Sequence, residues 1–229
     1  TLTTPHHLGM KFDAIVSNPP YSKSWEGKNN TILINDVRYS PAGVLAPIQR
    51  SDLAFTMHML YHLSETGTCA IVEFPGVLYR GGAEKKIREY LIKNNFVDTV
   101  IQLPANLFFG VGIATCIIVI KKNKKDNNIL FVDASGECEK KGDKNKLEDE
   151  NQNRIVNAYQ ERKEEQYFTK LVSNDEVLAN GANLSVSSYV EKEDKREVID
   201  IVALNEEIEA LSKDVRNRSV ELDEMIKEL

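Results

Sequence analysis

Four residues in this chain have the types and order to do chemistry on a flat amine. Asn18, Pro19, Pro20 and Tyr21 follow directly on the apolar run at 12–17. Pro19 biases Asn18 away from helical geometry, and each proline holds its own φ near about −65°. The segment therefore resists coiling. It presents the Asn18 amide oxygen and the Pro19 carbonyl oxygen as two acceptors held in place, with the ring of Tyr21 beside them. Two fixed acceptors next to an aromatic plate suit a planar group that bears an exocyclic NH₂. Its two N–H donors meet the acceptors and its ring stacks on the tyrosine. Such a nitrogen is a poor nucleophile, because its lone pair is delocalised into the ring. Acceptors that favour an ammonium-like geometry stabilise the transition state more than the ground state. The chemistry requires neither a catalytic base nor a covalent intermediate.

Acceptors are useful only where the fold holds them. In an open parallel sheet, ligands bind beyond the carboxyl ends of the strands, and Asn18 sits at that end of the 12–17 strand. Residues 22–50 are rich in Ser, Gly, Asn and Pro and predict a long loop of the functional kind. Residues 51–64 predict a helix, with Ser51 as N-cap, Asp52 in the first turn, and Phe55, Met59 and residues 61–63 as the apolar face. Further strands are expected at 68–74, 97–103, 112–120 and 129–133, a turn and helix at 81–95, and a polar hairpin turn at 121–128. This alternation predicts a mainly parallel α/β sheet. The short joins between the last strands predict antiparallel pairing at that end.

Beyond residue 133 the pattern changes. The charged stretch 134–153 is expected to be a linker, followed by short helices at 153–168 and 173–180, the second capped by Ser173 with Asp175 and Glu176 at its positive end. At the C-terminus, Ile201, Leu204, Ile208, Leu211, Val215, Arg218, Leu222, Met225 and Leu229 are spaced alternately by three and four. A stripe this narrow predicts a coiled-coil seam in search of a partner rather than a helix packed on its own domain. The expected organisation is a catalytic half-domain at 1–133, a linker with short helices at 134–195, and an assembly helix at 196–229.

Composition narrows the function classes. The 229 residues are 41% hydrophobic and 28% charged with a net charge of −6, which suits a globular chain with a real core. The acidic balance argues against a free-standing DNA binder, though not against a DNA enzyme gripped through a partner. The longest apolar stretch, at 113–120, is far short of a membrane span, and the chain opens without the pattern of a signal peptide. Cys69, Cys116 and Cys138 are expected to be reduced thiols, two of them in buried strands, which points to the cytoplasm.

Other clusters carry less. His58 and His62 lie four apart on the expected helix, but Met59, Leu60 and Tyr61 stand where a zinc protease needs its Glu, so no metal is expected. Residues 79–86 place Gly81 and Gly82 before a helix, either to receive an anion or simply to turn the chain. The lysines of 121–125 are expected to be solvated, and Asp13 to be structural. Lys23 and Arg38, in the long loop, have the charge to approach DNA.

The tetrapeptide after an apolar strand resembles the catalytic motif of amino-group methyltransferases that use S-adenosylmethionine. Three further segments, RGGAE at 80–84, LPANLFFG at 103–110 and NLSVSSYV at 183–190, stand in an order that resembles the modification subunit of type I restriction–modification systems. The resemblance runs over nearly the whole chain. It implies an adenine-N6 DNA methyltransferase on a Rossmann-like sheet, of which this chain is expected to be the C-terminal portion. It implies that Asn18, Pro19, Pro20 and Tyr21 are catalytic, that Asn18, Pro19 and Tyr21 hold a flipped adenine, and that Trp25 lines the pocket. It implies S-adenosylmethionine as cofactor, bound mainly by a half that would precede this motif, because the family's glycine-rich loop and ribose-binding acid are not in these residues. GVG at 110–112 precedes a strand, which is the wrong context. The fragment alone is accordingly expected to be inactive and a poor binder of the cofactor. The implied partners are DNA, a specificity subunit that reads the bases, a second modification subunit and the restriction subunit. Two alternatives stand beside this reading, a protein glutamine methyltransferase and a non-catalytic assembly module.

Overall fold

Runs of β-branched and aliphatic residues become the strands of one six-stranded sheet in the computed structural model, which describes residues 1–108, 110, 112–193 and 200–227. In chain order the elements are β1 (Phe12–Ser17), α1 (Asp52–His62), β2 (Leu63–Glu73), α2 (Ala83–Lys93), β3 (Val97–Gln102), β4 (Cys116–Lys121), β5 (Asn128–Asp133), β6 (Glu139–Lys141), β7 (Lys144–Lys146), α3 (Asp149–Glu161), β8 (Thr169–Ser173), α4 (Asn174–Ala179) and α5 (Ile201–Lys227). The sheet order is β1-β2-β4-β3-β5-β8, and β6 and β7 form a separate ribbon.

The α/β class and the mixed sheet follow the sequence. β1 pairs parallel with β2 and β3 pairs parallel with β5, while β4 runs antiparallel between β2 and β3 and β8 runs antiparallel at the far edge. β1, β2, β3 and β5 therefore share one direction. The join at 121–128 is not a hairpin turn, because β3 separates β4 from β5. Two of its lysines are held rather than merely solvated. Lys122 Nζ donates to the Leu63 carbonyl at 2.7 Å and Lys124 Nζ to the Val97 carbonyl at 2.7 Å.

Other corrections concern element bounds. β2 begins at Leu63, where helix α1 passes straight into the strand. Ser51 precedes α1 without a capping hydrogen bond from its side chain. The stretch 134–153 is not a bare linker, since it contains the β6–β7 ribbon and the start of α3. The helix expected at 153–168 ends at Glu161, and the chain then returns as β8. Ser173 does cap α4, with its Oγ accepting from the Glu176 N–H at 3.2 Å.

One core lies between the sheet and α1, α2, α4 and the 183–190 segment, and a smaller one lies on the other face beneath α3. The 183–190 segment is tied in by the Leu184 N–H, which donates to the Leu78 carbonyl at 2.8 Å, and just ahead of it the buried guanidinium of Arg88 donates to the carbonyls of Ala182 at 2.7 Å and Val77 at 2.8 Å. Phe131, fully buried on β5, stacks on Tyr189 with ring centroids 4.3 Å apart. Phe131→Ala is expected to destabilise the fold by about 3–5 kcal/mol, measured by denaturant unfolding, because it leaves a cavity and removes the seat of the tail segment.

The chain divides into two compact units, Thr1–Lys192 and Glu193–Leu229. In the second, α5 runs for 27 residues, and Asp200 accepts from the Val202 and Ala203 N–H groups at 3.0 and 3.1 Å. The apolar seam residues Ile201 to Met225 are exposed along it, and Arg218 pairs with Asp214 at 2.9 Å. The last seam residue, Leu229, lies outside the described residues. Among the described residues no helix is long and apolar enough to cross a membrane.

Candidate active site

β1 is an edge strand, and Val16 on it is 85% exposed. Its carboxyl end delivers Asn18 to the surface, with Pro19 buried behind it and Tyr21 half-buried beside it. The Tyr21 hydroxyl donates to Asn18 Oδ1 at 2.6 Å. This bond fixes the direction of the amide oxygen and leaves its second lone pair open. Burial, and the nearness of Glu73 and Cys116, push the Tyr21 phenol up to about 12, so it keeps its proton and remains a donor.

The floor of the site is made by strand ends. Glu73 closes β2 and lies in register with Cys116, the first residue of β4. Glu73 is fully buried, and its Oε1 accepts from Thr56 Oγ1 at 2.9 Å while Oε2 has no partner. Burial, with the charge of Asp52 adding to it, raises this carboxyl to about 8 against the hydrogen bond from Thr56. It is therefore neutral at pH 7. Cys116 is a buried thiol pushed well up by its surroundings, so it is no nucleophile.

Immediately after Tyr21 the chain reverses. Ser22 adopts φ +49°, in the left-handed region. Its N–H donates to Asp52 Oδ1 at 2.7 Å, and the Ser51 N–H donates back to the Lys23 carbonyl at 3.1 Å. Asp52 was expected only as a first-turn acid. Its role in holding the tetrapeptide was missed, because the two lie 30 residues apart in sequence.

The other sequence candidates are placed as follows. Asn18, Pro19 and Tyr21 come together, whereas Trp25 is turned into its own loop. Its indole N–H donates to the Pro47 carbonyl at 3.0 Å and its ring edge meets Tyr39 at 5.4 Å. Arg38 is buried, bonded to Asp36, to the Thr1 and Leu2 carbonyls and to His58. It is therefore withdrawn from any phosphate, while Lys23 stays exposed. His58, half-buried against His62 and Arg38, is lowered to about 4 and is neutral. Among the described residues no group of three or more His, Cys, Asp or Glu is placed to hold a metal. Gly82, at φ +68°, makes the turn before α2, and the anion at that helix start is the chain's own Glu84, between Arg80 and Arg50. Asp13 accepts from Ser64 Oγ at 2.6 Å.

Among the described residues, Gly110 and Gly112 precede β4 rather than a helix, and β1, the strand that carries Asn18, has no strand paired on its outer side.

Removing the Tyr21 hydroxyl separates its two contributions. Tyr21→Phe keeps the plate and loses one hydrogen bond, so turnover on a planar amine is expected to fall less than about tenfold. Tyr21→Ala also loses stacking, by roughly 1–3 kcal/mol. Steady-state kinetics on the two variants should show them separated by about fivefold or more.

Comparison with known proteins places this geometry in context. The family model for N-6 DNA Methylase matches residues 1–198. The type I restriction enzyme MpnII methylase subunit of Mycoplasma pneumoniae is 45% identical over 220 residues, covering 94% of this chain and 40% of that protein. The MjaVII methylase subunit of Methanocaldococcus jannaschii is 33% identical over 238 residues, covering 99% of this chain and 40% of that protein. The crystal structure of a type I restriction-modification system methyltransferase subunit from Streptococcus thermophilus superposes with a TM-score of 0.78 at 40% identity, over 80% of this chain and 39% of that one. The chain thus spans about 40% of the length of the relatives it matches.

Proposed function

Because the chain belongs to the N-6 DNA methylase family, we propose that it carries the amine-binding part of an adenine-N6 DNA methyltransferase, within the modification subunit of a type I restriction–modification assembly. The observation that carries this reading is the tetrapeptide at the open carboxyl end of β1, with Asn18 Oδ1 oriented by the Tyr21 hydroxyl. Only single-stranded or extruded adenine could reach acceptors set this close to a tyrosine ring. Its N6–H donors meet Asn18 Oδ1 and the Pro19 carbonyl, and its ring lies on Tyr21. As N6 gains a bond to carbon, its lone pair leaves the ring and its N–H groups become stronger donors. The two acceptors then hold them more tightly than in the ground state. The methylated amine afterwards loses one proton to solvent.

S-adenosylmethionine supplies the methyl group in this reading and is bound mainly outside the residues described. The chain's own task is to hold and polarise the amine. A specificity subunit would read the DNA sequence, which accords with the net charge of −6. The exposed seam of α5 is suited to packing against a partner helix in an assembly that also holds a second modification subunit and the restriction subunit. Metal plays no part in this reading.

The test is product identity. The intact modification subunit containing this chain, with its specificity subunit and labelled S-adenosylmethionine, should place label on N6 of adenine in duplex DNA. Label on cytosine N4, or on a glutamine-containing peptide instead, would overturn the assignment.

A further inference from the structure

We propose that Asp52 is the positioning residue of the amine site, holding the exit of the Asn18–Tyr21 tetrapeptide against the first turn of α1; this rests on the functional reading above. Asp52 is 1% exposed, and its two oxygens have different fates. Oδ1 accepts the Ser22 N–H at 2.7 Å, and Oδ2 has no hydrogen-bond partner among the described residues. Among the described residues, no lysine or arginine pairs with it. A buried carboxylate left half satisfied costs stability. A chain selected for stability alone would have little use for it, whereas a chain that must fix one backbone amide has good reason to keep it.

The amide it fixes is critical. Ser22 is a non-glycine residue at φ +49°, a conformation that relaxes unless its neighbours hold it. Relaxation there would swing Tyr21, one residue upstream, and with it the hydroxyl that aims Asn18 Oδ1. The anchor itself is rigid. Leu53, Ala54, Thr56 and Met57 of α1 are buried in the core, so the helix does not follow the loop. The N-terminal end of α1 also favours a negative group at Asp52. The reciprocal bond from the Ser51 N–H to the Lys23 carbonyl makes the tie two-stranded. Asp52 touches neither substrate nor reacting atoms, and it acts through Ser22.

Two measurements test this. The first is amide hydrogen exchange of Ser22 in the wild-type chain, where protection is expected and exchange at the unprotected rate would overturn the anchor. The second is kinetics of the intact methylating assembly. Asp52→Ala should lose about 30- to 100-fold in kcat, with the KM for cofactor within twofold, as a displacement of about 1 Å can cost that much. Asp52→Asn keeps an oxygen for the Ser22 N–H and should recover to within about threefold of wild type. Asp52→Ala within threefold of wild type, or Asp52→Asn as poor as Asp52→Ala, would overturn the proposal. If Asp52→Ala fails to fold, Ser22 exchange and the Asp52→Asn rate decide. If the wild-type assembly transfers no methyl group, the functional reading fails, and Ser22 exchange still decides whether Asp52 anchors the loop.

Discussion

Asn18→Ala in the intact subunit is expected to lower adenine methylation by about 10²- to 10³-fold while leaving assembly unchanged, the loss typical of removing one preorganised polar group aimed at developing charge. The size follows from the geometry. Asn18 Oδ1 is one of two acceptors, so its removal leaves the Pro19 carbonyl to polarise the amine alone. It also strands the Tyr21 hydroxyl, which donates to Asn18 at 2.6 Å. Asn18 is exposed and contributes little to the core, so the folded fraction should not change. Asn18→Asp is informative as a second variant, because it keeps an acceptor and adds charge. Quantifying N6-methyladenine by mass spectrometry after a fixed time gives the rates. A loss under threefold for Asn18→Ala would make the tetrapeptide architectural rather than catalytic.

The second large effect concerns stability and pH. The Glu73 carboxyl is raised from 4.5 to about 8 by burial, with the Asp52 charge adding to it. Below pH 4.5 it is protonated in both the folded and the unfolded chain, so pH has no effect through it. Between 4.5 and about 8 the unfolded chain gives up this proton while the folded chain keeps it. The unfolded state then binds fewer protons, and stability falls as pH rises. Above about 8 both states are ionised and the slope vanishes. Glu73→Gln keeps an acceptor for Thr56 and removes the titration. It should therefore flatten this fall, and at pH 8 it should be more stable than wild type by roughly 3–5 kcal/mol, since one unit of pKa is about 1.4 kcal/mol. Urea unfolding at pH 5 and pH 8 measures both slopes. Parallel curves for the two proteins would show that Glu73 is ionised in the fold.

The tetrapeptide and its strand were legible in the sequence because their signal is local. Proline fixes its own φ, and an apolar run before it marks the strand. The same holds for α1, α2 and the long helix α5, whose periodicities are contained in their own residues. What escaped is non-local or polar. β6 and β7, Glu-Lys-Lys and Lys-Asn-Lys, carry no apolar alternation, and their residues are exposed or only half-buried. β8 is five residues long between two helices, and its partner β5 supplies the reason it is a strand. The order of β3 and β4 in the sheet is set by packing across the whole domain, so short spacing misled the prediction of a hairpin. The family resemblance put Trp25 in the pocket, and no local signal told of its contacts with Pro47 and Tyr39, far along the loop.

The place of β4 between β2 and β3 has a consequence for how the chain is made. In chain order β1, β2 and β3 all precede β4, and none of the ladders found in the sheet joins β3 to β2. Until residues 116–121 are made, β3 has neither of its two neighbours and the β1–β2 pair lacks its link to the rest of the sheet. β4 then enters like a keystone, forming ladders on both sides in one event. A polypeptide that stops short of Cys116 therefore cannot seal this part of the core, and should be exposed to chaperones and proteases.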